Sequence, residues 1–238
     1  MDIDKILGNF PKRRPTLSGK LKKIYQLEYK KNRDGGSPMS FLAQKLEAWM
    51  HKNISKARPS KQLFSCNTLE IGAGTLNQLF YETQHGKYDL IEPLSFLYKD
   101  SPYLPFIRDV FSDISEINLK TKYDRIISVA VLEHVENLPK LIKESINHLA
   151  DGGVFACGIP SEGGFLWGLT WRLTTGLEFR LRTGLNYLEL MQYEHINEAS
   201  EIEALLKFYF KDVKIRRLGF GMHFSFYTYI ECRNPTDR

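Results

Sequence analysis

From Thr68 onward the apolar positions fall into short β-rich runs separated by stretches of helical spacing. The runs at 68–71, 87–92, 105–110, 123–129 and 153–159 predict strands. Strands alternating with helices predict an α/β fold, a parallel sheet covered by helices on both faces. Between the last two runs, Leu138, Leu141, Ile142, Ser145 and Leu149 share one helical face, and Asp151-Gly152-Gly153 supplies the stop signal. A helix over about 199–209 leads to two closing strands, 212–217 and 224–231. The chain between them is too short for a crossover helix, so this pair must be antiparallel.

Two helices precede the first strand. In the second, Ser37 can act as cap, Pro38 suits the first turn, and Leu42, Leu46, Trp49 and Met50 form an apolar stripe. The connection from Asn32 to Ser37 has turn chemistry, with Gly35-Gly36 placed to act as a hinge. The expected organisation is an N-terminal helical cap over 1–56 and an α/β domain over 57–238, in which 160–197 is an insertion on the substrate side.

With 238 residues and 42% hydrophobic content, one domain with decorations is expected. No apolar run approaches the roughly 20 residues that span a bilayer. Acidic residues open the chain where a secretory signal would be basic, so the expected location is the cytoplasm, with no stable membrane insertion. Cys66, Cys157 and Cys232 lie far apart without a CxxC pair, which indicates neither a zinc site nor a disulfide framework. The net charge of +5 is concentrated at one end, where residues 1–34 carry ten Lys/Arg against four Asp/Glu. The body is not basic, and no nucleic-acid partner is expected. The cluster Lys12, Arg13, Arg14, Lys20, Lys22 and Lys23 can still meet phosphates, or serve only as a solvated face.

The most informative segment is Leu69-Glu-Ile-Gly-Ala-Gly-Thr-Leu-Asn, followed by Tyr88-Asp-Leu-Ile-Glu. An apolar strand running into Gly-x-Gly and then a helix lets the backbone turn tightly around Gly72, Ala73 and Gly74 and approach a ligand. Glu92 ends the next strand, where a carboxylate can accept from both hydroxyls of a ribose, which points to an adenosine cofactor. The position where a dinucleotide site carries its third glycine is Asn77, and no Gly-Lys-Ser/Thr follows as in a phosphate-binding loop. Glu70 adds an acid beside the turn, which suits a cationic cofactor and repels a pyrophosphate.

The run LEIGAG, the acid of LIEP, the stretch YDRIISVAVLEHVEN and the turn LADGGVFACGIP together resemble the successive motifs of class I S-adenosylmethionine-dependent methyltransferases, over about residues 66–160. The resemblance implies a Rossmann-like seven-stranded, mostly parallel sheet with an antiparallel final strand. It implies S-adenosyl-L-methionine as cofactor, with Glu70 and Gly72 near the methionine part and Glu92 on the ribose. Ala73, Gly74, Pro93 and Ala130 line the same cofactor by this resemblance. An acid after the third strand contacts the adenine amino group: Asp109, favoured because FIRDV places it at a strand end, or Asp113, whose spacing to Tyr123-Asp124 is the more usual. Leu76-Asn77 departs from the commonest pattern, in which another glycine stands there.

Ligands of open α/β sheets gather at the carboxyl ends of strands. Glu133 and His134, after the fourth strand, are therefore expected either to line the acceptor pocket, with His134 as base, or to cap the next helix. His195 has the pKa range of a general base. Within 160–197, Trp167 and Tyr193 with Arg172, Arg180 and Arg182 read as substrate-binding groups of a lid, or as a packed helical decoration. Arg180 and Arg182 share a face only if that piece is extended. No metal cluster of consistent spacing appears, and no metal is expected. The segments EYKKNRDGGSPMSFLAQKLEAWMH, VAVLEHVENL, GIPSEGGFLWGL and YEHIN resemble methyltransferases of bacterial polysaccharide and lipopolysaccharide pathways. That implies a small-molecule acceptor, a sugar or nucleotide-linked sugar hydroxyl or amine, and leaves a homodimer open. The alternatives are a quinone or lipid methyltransferase, for which FLWGLTW would touch a membrane, and a non-catalytic cofactor-binding regulatory subunit.

Overall fold

The computed structural model describes residues 2–22, 24, 38–60, 66–83 and 86–237, with side chains omitted over 38–44. Its sheet contains β1 (Thr68–Ile71), β2 (Tyr88–Ile91), β3 (Val110–Phe111), β4 (Tyr123–Val129), β5 (Leu149–Pro160), β6 (Phe210–Phe220) and β7 (Phe224–Pro235). The spatial order is β3-β2-β1-β4-β5-β7-β6. The first five strands are mutually parallel, whereas β7 runs antiparallel to both β5 and β6, as expected for a closing pair without a crossover.

Helices cover the two faces unequally. On one face α1 (Ile3–Gly8), α3 (Leu138–His148) and α7 (Ala199–Tyr209) bury Ile6, Leu138, Ile142, Ile202, Leu205 and Leu206 against Leu69, Ile71, Ile126 and Phe155. On the other, α2 (Pro38–Ile54) sets Met50 and Ile54 fully out of water, and Ile54 joins Leu90, Ile127, Val154 and Tyr229. The Asn32–Ser37 connection with its hinge glycines, the Ser37 cap and the Leu42 side chain lie outside the described residues.

Two expectations are corrected here. The third strand is not 105–110: Leu104–Phe106 is a 3-10 turn with Pro105 in its first two positions, and the strand is only Val110–Phe111. The helix expected after Gly-x-Gly is a 3-10 turn, Asn77–Tyr81, entered through Leu76 at φ 66°. The turn is held by tighter i→i+3 bonds, Leu79 N–H to the Leu76 carbonyl and Glu82 N–H to the Leu79 carbonyl. The insertion over 160–197 carries three helices, α4 (Phe165–Leu173), α5 (Thr175–Thr183) and α6 (Tyr187–Glu194). No helix among the described residues is long and apolar enough to cross a membrane.

Candidate functional site

The carboxyl ends of β1, β2, β4 and β5 deliver the site. At the end of β1, Gly72 has φ +69°, and a Cβ there would lie 2.4 Å from Val131 Cγ2. Gly74 is also left-handed, and the Gly72 N–H donates to the Ile91 carbonyl at 2.8 Å. Glycine at 72 is therefore required twice, by the dihedral and by the approach of Val131. Ala73 is buried within the same turn, and Pro93 is exposed beyond β2.

Glu92, which is buried, closes the turn. Its Oε2 accepts from the Gly74 N–H at 2.9 Å and its Oε1 from the Leu94 N–H at 3.0 Å. A carboxylate offers about four acceptor positions, so one on each oxygen remains for a vicinal diol. Glu70 is almost fully enclosed, and Tyr88 Oη donates to its Oε2 at 2.7 Å. Burial pushes the Glu70 carboxyl up to about 8 against the opposing hydrogen bond from Tyr88. Beside it, Arg125 and Glu82 form a bidentate buried pair, Gln78 Nε2 donates to Glu82 at 2.6 Å, and His51 Nδ1 meets Gln78 Oε1 at 2.8 Å. This chain of contacts fastens α2 to the 3-10 turn that follows the glycines and to β4.

The two candidate adenine acids separate by position. Asp109 precedes β3, where its carbonyl accepts from Leu90 N–H and its carboxylate pairs with Arg108 Nε at 3.0 Å, so it is not at the carboxyl end expected for it. Asp113 follows β3 and caps the next 3-10 turn through Ser115. Ala130, at the end of β4, holds φ 53° and donates its N–H to the Gly158 carbonyl.

Past Ala130 the chain makes a 3-10 turn, Leu132–His134, that the segment around 195 clasps. Ile196 and Asn197 N–H groups donate to the Glu133 carbonyl, and Asn197 Nδ2 donates to the Leu132 and Val135 carbonyls at 2.8 Å each. His134 and His195 thereby meet, with ring centroids 4.9 Å apart. His134 Nδ1 lies 2.7 Å from the Glu194 carbonyl, and His195 Nδ1 2.8 Å from Glu162 Oε2. A carbonyl only accepts, so the proton of a neutral His134 sits on Nδ1 and Nε2 carries the lone pair. Burial pushes the Glu133 carboxyl up to about 7, with His195 working against that shift. Burial alone would lower His195, but the Glu162 hydrogen bond and the charges of Glu133 and Glu162 outweigh it and the net shift is upward.

The basic N-terminal cluster is partly spent on this loop. Lys12 Nζ bonds the Ile196 carbonyl at 2.8 Å and Glu201 at 2.6 Å, while Arg14 Nη2 bonds the His134 carbonyl at 3.0 Å. A cleft of ≈ 400 Å³ between this strap and α6 is lined by Asn9, Lys12, Gln192 and His195.

These elements, a glycine turn closed by a buried carboxylate and a histidine pair at the next strand end, sit on a sheet of the order given above. A family model for a methyltransferase domain matches residues 29–206. The chain belongs to the methyltransferase-domain family. As a member it is an S-adenosylmethionine-dependent methyltransferase, in agreement with the sequence reading. Among curated proteins none matches it. Solved structures share the fold: a Thermotoga maritima protein described as a possible histamine N-methyltransferase is 15% identical, with TM-score 0.58, over 88% of this chain and 98% of that one. The plantazolicin methyltransferase BpumL, solved with S-adenosylhomocysteine, is 15% identical at TM-score 0.53 over 91% and 100%. The CurJ carbon methyltransferase is 20% identical at TM-score 0.54 over 79% of this chain, which spans 54% of that protein.

In the methyltransferase, the acceptor-side residues named from sequence are brought together only in part. Glu133, His134 and His195 converge, and Trp167 joins them through its indole N–H to Glu162. Tyr193 lies under Arg14, with the guanidinium 5.4 Å from its ring. Arg172 stacks on Trp171 at 4.6 Å, Arg182 stands 5.9 Å from the Phe179 ring, and Arg180 is exposed. Because α5 is helical, Arg180 and Arg182 diverge rather than form one anion site. Two groups went unread in the sequence, Glu162 and Asn197; an acid two residues past a strand end was the available signal for the first.

Proposed function

We propose that the methyltransferase transfers the methyl group to a hydroxyl or amine of a small polar acceptor, a sugar or nucleotide-linked sugar, held against Glu133, His134 and His195. The single observation that carries this reading is the convergence of these three groups at the carboxyl end of β4, one strand from the glycine turn. S-adenosylmethionine supplies an electrophilic methyl at its sulfonium. Glu92 holds the ribose, Asp113 takes the adenine side because it lies beyond β3, and Glu70 faces the cationic end. His134 Nε2 receives the acceptor proton as the O–CH3 or N–CH3 bond forms and the S–CH3 bond breaks, leaving S-adenosylhomocysteine. Glu162 and the Glu194 carbonyl fix the two rings, and Asn197 fixes the loop that carries them.

The test is methyl transfer from labelled cofactor to a panel of sugars, nucleotide sugars and amines. His134→Ala should lower turnover about a hundredfold or more while cofactor affinity is kept. Full turnover in that variant contradicts the assignment. A specific observation favours a second reading, a lipid-borne acceptor: Phe165, Leu169, Leu173, Leu177 and Leu181 are 61, 40, 63, 49 and 80% exposed along α4 and α5. Such a ridge with adjacent arginines suits an anionic membrane surface, and vesicle co-sedimentation separates the two readings.

A further inference from the structure

We infer that Glu133, His134 and His195 form a binding site for one divalent transition-metal cation of the zinc, iron(II) or cobalt(II) type. One ligating atom from each residue lies within 4.8 Å of the other two. A tetrahedral ion with ligands at about 2.0–2.1 Å sets them roughly 3.3 Å apart, so closure requires movements of about an ångström. His134 is the most exposed of the three, with 30% of its side chain accessible, and its Nε2 is already 3.8 Å from Glu133 Oε1.

Two features point to a ligand, and a third holds its groups together. The Glu133 side chain is 2% exposed, its Oε1 stands 3.8 Å from His134 Nε2, and its Oε2 has no hydrogen-bond partner, which leaves a buried carboxylate beside both imidazoles with an acceptor unsatisfied. Both imidazoles are oriented through Nδ1, His134 by the Glu194 carbonyl and His195 by the Glu162 carboxylate, an arrangement that presents Nε2 of each ring to an ion and is the usual outer shell of metal-bound histidine. The third is the loop itself: Asn197 and the Ile196 and Asn197 N–H groups tie the turn carrying Glu133 and His134 to the segment carrying His195, so groups 60 residues apart are held in register.

Two nitrogens and one oxygen select a borderline transition ion over magnesium or calcium, which prefer all-oxygen shells. Three protein ligands leave at least one position open, and His195 also lines the cleft between the N-terminal strap and α6. An ion there would bind the acceptor's oxygen or nitrogen directly and favour loss of its proton, taking over the role assigned above to His134.

The test uses tag-free full-length protein, stripped with chelator and titrated with Co2+ while its visible absorption is followed. One Co2+ per chain is expected, displaced by Zn2+ and not by a hundredfold excess of Mg2+. Glu133→Gln and His195→Ala should each weaken binding on the order of a hundredfold, and Glu162→Gln, which keeps all three ligands, about tenfold. S-adenosylmethionine affinity, measured on the same samples, reports that each variant is folded; should Glu133→Gln fail that check, His195→Ala and Glu162→Gln decide. Absence of stoichiometric Co2+ and Zn2+ binding at micromolar concentration, wild-type affinity in the folded variants, or displacement by Mg2+ would each overturn the inference. No acceptor or methyl transfer enters the assay, so its failure leaves the proposed function standing.

Discussion

Replacing Gly72 by Ala should damage the methyltransferase in two separable ways. The left-handed backbone at φ +69° costs an alanine about 1–2 kcal/mol. The new methyl would stand 2.4 and 2.8 Å from the two Val131 methyl carbons, well inside the roughly 3.5–4.0 Å at which carbons pack. Val131 must then shift by about an ångström, an overpacking cost of roughly 1–3 kcal/mol, so the total is about 2–5 kcal/mol. Val131 leads directly into the Leu132–His134 turn, so the shift should also disturb the acceptor loop. Urea denaturation of the wild type, Gly72→Ala, Val131→Ala and the double variant forms a cycle that isolates the steric part. The dihedral cost should persist in the double variant, while a coupling of about 1–3 kcal/mol in the favourable direction appears. Additivity within about 0.5 kcal/mol, or a Gly72→Ala protein as stable as the wild type, would refute the reasoning.

Glu70 predicts a pH dependence. Its folded-state pKa of about 8 lies above its unfolded value, so its contribution to stability is complete below about pH 4.5 and is lost as pH rises toward 8, by at most about 1.4 kcal/mol per pH unit. Glu70→Gln should flatten that slope in thermal melts between pH 5 and 8; an unchanged slope counts against it. Binding of the cationic cofactor at pH 7 should release a fraction of one proton, seen as buffer-dependent calorimetric heats that vanish in Glu70→Gln. We propose that the C-terminal half of α2 is held more firmly when the site is filled, through the His51–Gln78–Glu82 contacts. Cofactor should therefore slow deuterium uptake over 45–56, and equal uptake with and without cofactor would rule the closure out.

The parallel core and its reversed final pair were legible because they rest on short-range signals: apolar runs, a helix with its stop, and two strands with no room for a crossover. Gly72 and Glu92 were legible for the same reason, since twenty residues and two strand ends fix their relation. The third strand was not, because Leu104-Pro-Phe-Ile reads as an apolar run although Pro105 turns it into a 3-10 segment and leaves only Val110–Phe111 to pair. Glu133, His134 and His195 were each read as candidates, but their meeting depends on Asn197 bonding two carbonyls more than 60 residues away, which no periodicity reports. The arginines of 160–197 illustrate the converse. They read as substrate-binding groups in one dimension, and helix formation in α5 separates Arg180 from Arg182.

The most direct test of the account is calorimetric titration of S-adenosylmethionine into the wild type and Glu92→Ala. Glu92 follows β2 with one acceptor position left on each oxygen, and on the proposed placement of the cofactor its loss would leave the ribose hydroxyls poorly paired. The account predicts one site in the wild type and a loss of about 1–3 kcal/mol, roughly 5- to 150-fold in affinity, in the variant. Equal affinity in the two proteins, with the variant folded, would contradict the placement of the cofactor on which the acceptor site depends.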